Sequence, residues 1–266
     1  MGEGPGTLIK KSLPFPPPSI AKTMHNLTPG EETMIAALAR QIKDGDWAAC
    51  GTLSPMPAAA LWLAKLTHAP AAEVLVAGSV DWPFEGEWRE FFDLAQSGRL
   101  NVFFLSGAQI DAHGNINLMA IGAYDKPQVR LPGGAGSAIL AYVVERVVLF
   151  KADHSARGLV SRVGILTAPG YTPELSPWQR PGHATCLITP KCVFDLLPPA
   201  QPKLKSLHPG VTLEEVQELT GFAFQVPDPI LATPCLDPET RRLLYGPVKE
   251  KLAQTYPLFA ARLLMT

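Results

Sequence analysis

The sequence lacks any apolar run of the ~20 residues that a helix needs to span a bilayer. Its start, MGEGPGTLIKKSLPFPPPS, has no apolar core of the kind a secretion signal carries, and no Ser or Thr where a myristoylation signal wants one. A cytoplasmic location is the expectation, with no membrane partner. Charge of one sign is also missing. Lys and Arg number 23 against 24 Asp and Glu, a net charge of -1, so there is no electrostatic case for nucleic acid or an anionic membrane surface. Cysteine is scarce: Cys50, Cys186, Cys192 and Cys235 form no C-x-x-C pair. Buried reduced thiols are the plain reading, and no metal site is expected. Cys186 and Cys192 flank LITPK, which reads as a hairpin turn that would let them face each other. No internal repeat is visible, which excludes solenoids.

What is present describes an ordinary folded chain. With 266 residues, 47% hydrophobic and 18% charged, it can bury the core of one large α/β domain. Residues 1–27 are rich in Pro and Gly without a period and read as an extended or disordered arm, leaving 28–266 as the folded domain. Thr28, Pro29 and Glu31 form a capping signature ahead of Met34, Ile35, Leu38 and Ile42 at helical spacing, and Gly45 is expected to stop that helix. Segments 47–50, 73–77, 101–105, 147–150 and 163–166 read as strands. Segments 57–67, with Ala58, Ala59 and Ala60 for close packing, and 86–97, with Trp88, Phe91, Phe92 and Leu94, read as helices.

Strands that are nearly all apolar, alternating with helices, predict an open, mostly parallel sheet covered by helices on both faces, with ligands beyond the carboxyl ends of the strands. TCLIT and CVFDLL around Pro190-Lys191 predict an antiparallel C-terminal addition. Thr212 and Glu215 predict another capping box before a short helix ended by Gly221. FAFQV reads as a final strand, and Asp237-Pro238 opens a terminal helix with Leu243, Leu244, Val248 and Leu252 on one side. Trp62, Trp82 and Trp88 suit a subunit interface as well as they suit core packing.

Segment 106–137, SGAQIDAHGNINLMAIGAYDKPQVRLPGGAGS, is the most informative stretch. Glycine lets backbone amides approach a ligand, and Gln109, Asp111, Asn115 and Asn117 are residues a core would not choose. Turn chemistry would account for any one of them; together they read as a ligand site. Asp111 and Asn115 are expected to support the turns, Gln109 to lie near substrate and His113 to be exposed. Asp125-Lys126 reads as a solvated turn. Arg130 fits either a phosphate or distal carboxylate contact or a plain surface position.

SGAQIDAHGNINLMAIG followed by RLPGGAGSA resembles the β-subunit half of family I coenzyme A transferases, of the glutaconate CoA-transferase type. The similarity runs over most of residues 30–256, including THAP after the second helix and SLHPGVTLEEVQELTGFAFQV near the end. The resemblance implies a coenzyme A thioester as substrate, no permanently bound cofactor, and an α-like partner subunit in a heterodimer or heterotetramer with one active site between the two chains. In such transferases a β-subunit glutamate at the end of the second strand attacks the thioester, passing through an acyl anhydride to a glutamyl-CoA thioester.

Here the matching turn is Val74-Leu75-Val76-Ala77-Gly78-Ser79-Val80-Asp81, and the nucleophile position falls on Val76 or, with a one-residue shift, on Ala77. Neither can attack. Asp81, Glu85 and Glu87 are the nearby carboxylates, displaced by at least several ångströms where such chemistry tolerates about half an ångström. Decarboxylase-type relatives carry a Cys at the glutamate position. The nearest thiol here is Cys50, on the preceding strand, where a buried core thiol is the plainer reading. By the same resemblance Gly78 and Ser79 border the site, Gly107, Ala108 and Gln109 sit beside the acyl group, and Gly133, Gly134, Ala135 and Gly136 form the loop that approaches the thioester or pantetheine.

The expected function is therefore that of a β subunit acting on acyl-CoA thioesters without covalent catalysis, by decarboxylation or carbon–carbon hydrolysis of a carboxylated or β-keto acyl-CoA, with acid or base from the partner. Two alternatives stand beside it: genuine CoA transfer through a displaced carboxylate such as Asp81 or Glu85, and a non-catalytic acyl-CoA-binding or scaffold subunit.

Overall fold

A computed structural model describes residues 25–85, 88–171, 182–196 and 199–264. The arm expected over 1–27 lies almost wholly outside them, as do Gly86 and Glu87. Helix α1 (Pro29–Ala39) begins as its sequence demands: Thr28 Oγ1 accepts from Glu31 N at 3.2 Å, and the Glu31 carboxylate accepts from Thr28 N at 2.8 Å. It ends before Gly45. The amides of Gln41 and Ile42 reach back only three residues, tightening the last turn, and Gly45 at φ 81° makes the later bend into β1 (Trp47–Cys50).

The chain continues through α2 (Pro55–Leu66), β2 (Glu73–Val76), α3 (Trp88–Gln96) and β3 (Val102–Leu105). Segment 106–137 then makes two small antiparallel ladders, β4 (Gln109–Ile110) with β5 (Ile116–Asn117) and β6 (Ala120–Gly122) with β7 (Pro127–Arg130). After these come α4 (Ser137–Val143), β8 (Arg146–Phe150), β9 (His183–Ile188), β10 (Cys192–Asp195), β11 (Lys203–Leu207), α5 (Leu213–Leu219) and β12 (Leu231–Ala232). The terminal helix expected from Asp237 is α6 (Pro238–Leu243), a π-helical turn over Leu244–Val248 containing Pro247, α7 (Lys249–Thr255) and α8 (Pro257–Ala260).

One eight-stranded sheet runs β12-β11-β10-β9-β8-β3-β1-β2. Strands β2, β1, β3, β8 and β9 are parallel, and β10 lies antiparallel to both β9 and β11, which is the expected C-terminal addition. Alternation along each strand separates two apolar clusters. Ala48, Val76, Phe104 and Val148 pack beneath α1, α2 and the terminal helices through Met34, Leu38, Leu61 and Val248. Ala49, Leu75, Phe103 and Val147 pack beneath α3 and α4 through Phe91, Leu94 and Leu140. Helices thus cover both faces. No helix among the described residues is long and apolar enough to cross a membrane.

Several local expectations are corrected. Segment 163–166 is not a strand: Val163 N donates to Asp111 Oδ2 at 3.4 Å and Gly164 N to Gln109 Oε1 at 3.1 Å, so side chains take the donors a ladder would use. FAFQV contributes only a bridge from Gln225 to Lys203, and the last strand is β12. Thr212 caps α5 alone, because Glu215 reaches Lys191 Nζ at 2.5 Å instead of returning to the cap. Cys186 lies opposite Asp195 in the β9–β10 register, and its thiol and that of Cys192 belong to different apolar clusters, so they do not face each other. Nor do Trp62, Trp82 and Trp88 share one face. Trp62 packs on the first cluster beneath Lys251, whereas Trp82 joins Phe84, Trp88 and Phe91 on the second.

Candidate active site

Strand β1 pairs with β2 on one side and β3 on the other, so the loops leaving the carboxyl ends of β1 and β3 diverge and open a crevice between them. A cavity of about 740 Å³ occupies this point. Its walls are the loop 51–54 after β1, Ser106 and Gly107 after β3, Phe150 and Ala152 around the end of β8, Trp88 and Phe92 of α3, and the loop 132–137 that leads into α4.

The loop 132–137 has a backbone that only its sequence allows. Gly133 sits at φ 98° and Ala135, unusually for a residue with a Cβ, at φ 43°. A Cβ on Gly134 would run into Thr167, and one on Gly136 into the Phe92 ring. Gly133 N donates to Leu118 O at 2.9 Å and Ser137 N to Gly134 O at 2.8 Å, which pins both ends. Between them the amides of Gly134, Ala135 and Gly136 donate to nothing among the described residues. The Ser137 hydroxyl, on a residue only 5% exposed, is likewise unpartnered. Only Ser137 is buried, Ala135 being exposed and Gly134 and Gly136 half-buried, but unpaired donors grouped in one wall mark a place where a ligand oxygen would be welcome.

No Asp, Glu, Lys, Arg, His, Cys or Tyr among the described residues lines the cavity. Its surface is mostly aromatic and aliphatic, with hydroxyls from Thr52, Ser54, Ser106 and Ser137. The Tyr256 hydroxyl stands behind the loop 51–54, 3.4 Å from both Gly51 O and Ser54 N. Burial and the neighbouring Cys50 push this phenol up to about 12.

The residues singled out by the sequence separate into two groups. Gly107, Gly133, Gly134, Ala135 and Gly136 are in the wall, and Gly107 has no room for a Cβ because Ile116 lies against it. Ala108 and Gln109 are not. Ala108 N donates to Asn117 O at 2.9 Å, and Gln109 Oε1 accepts from Asn117 Nδ2 at 2.8 Å and from Gly164 N. Asp111 accepts from the amides of His113 and Asn115 and from Asn115 Nδ2, the supporting role expected of it, and His113 is exposed. Arg130 stacks on Tyr124 with its guanidinium 5.0 Å from the ring, away from the cavity wall.

The turn after β2 is also outside the wall. Val76 and Ala77 are each 2% exposed, Val76 opposite Cys50 in the β1–β2 register and Ala77 N bonded to Cys50 O at 3.2 Å. Gly78 turns the chain at φ 81°, Ser79 follows, and Asp81 pairs with Lys251 Nζ at 2.9 Å. Glu85 is exposed. Cys50 is 1% exposed, with its thiol pKa driven upward by burial, which keeps it protonated. Trp88, Phe92, Phe150 and the loop 51–54 escape a sequence reading. Only Gly-Thr-Leu-Ser-Pro directly after an apolar strand hints at a loop closing on a ligand. Among the described residues no three His, Cys, Asp or Glu converge as metal ligands.

An open α/β sheet with a glycine-walled, uncharged cavity at its switch point places the chain in the doubly wound class, with a cavity where such folds take ligands. The model of the coenzyme A transferase family matches residues 77–219, and the chain belongs to that family. It is 33% identical over 230 residues to the B-type subunit of 3-oxoadipate CoA-transferase from Pseudomonas knackmussii, covering 76% of this chain and 86% of that one. It is also 33% identical over 152 residues to the cholesterol ring-cleaving hydrolase IpdB subunit of Rhodococcus jostii, covering 53% and 56%. Among solved structures, the decarboxylase AibA/AibB superposes with a TM-score of 0.72 at 32% identity, over 86% of this chain and 99% of that one. The family read from segment 106–137 is therefore the right one, and it includes relatives named for transfer, hydrolysis and decarboxylation.

Proposed function

We propose that this chain is the β-type subunit of an enzyme acting on acyl-CoA thioesters by decarboxylation or carbon–carbon hydrolysis, without an acyl-enzyme, in complex with an α-like subunit. The observation that carries this reading is the cavity itself: three unpaired amides and an unpaired hydroxyl in a wall with no titratable side chain among the described residues. Such a wall can stabilise charge, but it has no base beside its hydroxyls to activate one as a nucleophile. Both reactions need that stabilisation. Loss of CO2 from a carboxylated acyl group, or cleavage of a bond after water adds to a β-ketone, leaves an electron pair that delocalises onto the thioester oxygen. A proton then returns to carbon.

The amides of Gly134, Ala135 and Gly136, with the Ser137 hydroxyl, are suited to donate to that oxygen, and removing one such donor costs roughly 100-fold or more in rate. Gly107 allows the thioester to approach the floor. Ala108, Gln109, Gly78 and Ser79 act by holding the surrounding turns. The acid or base then comes from the α-like subunit, in keeping with relatives whose names give them as a pair or as one member of a pair.

Transfer through a displaced nucleophile is the weaker reading, because Asp81 is tied to Lys251 and neither Asp81 nor Glu85 lines the cavity. Coexpression with the α-like subunit and incubation with dicarboxylic and β-keto acyl-CoAs tests the proposal. Release of CO2 or ring opening without a hydroxylamine-sensitive adduct supports it. CoA exchange with such an adduct overturns it in favour of transfer, and tight binding with no turnover overturns it in favour of a binding subunit.

A further inference from the structure

The cavity divides into one polar end and one apolar body. The polar end is the loop 132–137 with its unpaired donors. The body is Trp88, Phe92, Phe103, Leu118, Leu140 and Phe150, and no cation among the described residues stands anywhere along it. A straight dicarboxylic acyl group would make two polar demands, one at the thioester oxygen and one at its distal carboxylate. This wall answers the first with loop 132–137 and offers the second only the neutral hydroxyls of Thr52, Ser54 and Ser106, with no cation among the described residues. An ionised carboxylate left against such a surface without a partner loses several kcal/mol of hydration.

Size argues in the same direction. About 740 Å³ lies in the upper range of cavities that take whole drug-sized ligands, and it exceeds what a short linear acyl chain fills. Rings line it from two sides: Trp88 and Phe92 on α3, with ring centroids 6.1 Å apart and Phe103 of β3 beneath that helix, and Phe150 at the end of β8. Flat aromatic walls suit a broad aliphatic body, because they bury much area at little conformational cost. Gly136 keeps this space open, since any side chain there would run into Phe92.

Resting on the acyl-CoA reading above, we infer that the cavity selects a bulky, uncharged alicyclic or branched acyl body and does not recognise a distal carboxylate. The thioester oxygen meets the loop 132–137, the aliphatic body lies between α3 and Leu118, and any carboxylate that reacts lies at the cavity mouth in water. Burial of apolar area drives the preference, and each additional buried methylene contributes about 0.8 kcal/mol, or a few-fold in affinity.

The test measures binding to the complex with the α-like subunit by calorimetry, using cyclohexanecarboxyl-CoA, a straight dicarboxylic CoA ester of equal carbon count, and acetyl-CoA. The expected order is alicyclic tightest by at least about tenfold over the dicarboxylic ester. Leu118→Trp, which fills the body, should weaken the alicyclic ester at least about tenfold more than it weakens acetyl-CoA. Phe92→Leu, which widens the body, should move the preference toward a fused-ring ester and serves where the tryptophan variant fails to fold. Equal affinity for the two larger esters, or tighter binding of the dicarboxylic one, overturns the inference. Preferential alicyclic binding with no turnover of any ester leaves the inference standing and removes the proposed catalytic function instead.

Discussion

Two regions at the carboxyl edge of the sheet hold buried polar groups in opposite ways. Beyond β8 and β9, His154 is 7% exposed, with Nδ1 2.8 Å from Thr189 Oγ1 and Nε2 3.0 Å from Thr220 Oγ1. The Thr220 hydroxyl in turn donates to Val216 O at 2.6 Å. Beyond β1 and β3, the amides of Gly134, Ala135 and Gly136, in the cavity wall, and the buried Ser137 hydroxyl behind them have no partner among the described residues. A polar group that the fold satisfies contributes to the fold. One that the fold leaves unpaired beside a cavity is open to a ligand. The first region is titratable and closed, the second untitratable and open, and each makes different predictions.

The sharpest way to break the comparison is to close the open region. Gly136→Val would drive a side chain into Phe92, displacing the loop and its donors. Turnover of acyl-CoA by the complex should fall by about 100-fold or more, with a stability loss of about 1 to 3 kcal/mol from overpacking. Steady-state kinetics beside a denaturation curve separates the two. A variant that unfolds no more readily and still turns over at the parent rate would remove the loop from the site.

The closed region should respond to acid through stability. Burial, reinforced by the nearby Lys191, holds the His154 imidazole down at about 4, and burial does the same to His208. An unfolded imidazole near 6.5 takes its proton first. Stability is therefore complete above about pH 6.5 and declines as pH falls toward about 4, by up to about 3 kcal/mol for each histidine. Urea midpoints across that range test this, and His154→Asn should lower stability at neutral pH yet flatten the acid limb. An unchanged acid limb would mean that His154 titrates normally in the folded protein.

Much of this architecture can be read from residues alone, and the places where it cannot have physical causes. Strands β1, β2, β3 and β8 are short apolar runs in a parallel sheet buried on both faces, the pattern that sequence states most directly. Thr28 and Glu31 announce α1 because both halves of a capping box are local. The apolar run at 163–166 misleads because its amides are taken by Asp111 and Gln109, more than fifty residues away in sequence. The wall of the cavity is equally non-local. Glycines at 133, 134 and 136 advertise a close approach, but nothing in Trp88, Phe92 or Phe150 distinguishes a residue facing a cavity from one facing the core.

Ser137 allows a finer comparison, because removing its hydroxyl should separate stability from function. For a buried group that already lacks a partner, Ser137→Ala relieves a desolvation cost, so the protein should be unchanged or stabilised by up to about 1 kcal/mol. Turnover should meanwhile fall by roughly 100-fold, the cost of removing one donor to a developing oxyanion. A loss in both would assign the hydroxyl to structure, and retained turnover would leave only the amides as donors.

Asp81 should give the smallest effect. It is a carboxylate that a displaced-nucleophile mechanism would use, in the turn after β2 and beyond the Val76 and Ala77 position. Its geometry is that of a surface ion pair, with Asp81 and Lys251 each about 40% exposed and Lys251 lying over the Trp62 ring. Such pairs contribute at most about 1 kcal/mol, and less as salt rises. Asp81→Asn should therefore leave turnover within about twofold and stability within about 1 kcal/mol. A nucleophile cannot be replaced by its amide without near-total loss of activity. Abolished turnover with intact folding would therefore move the chemistry from the uncharged cavity to the turn after β2 and restore covalent transfer as the reaction.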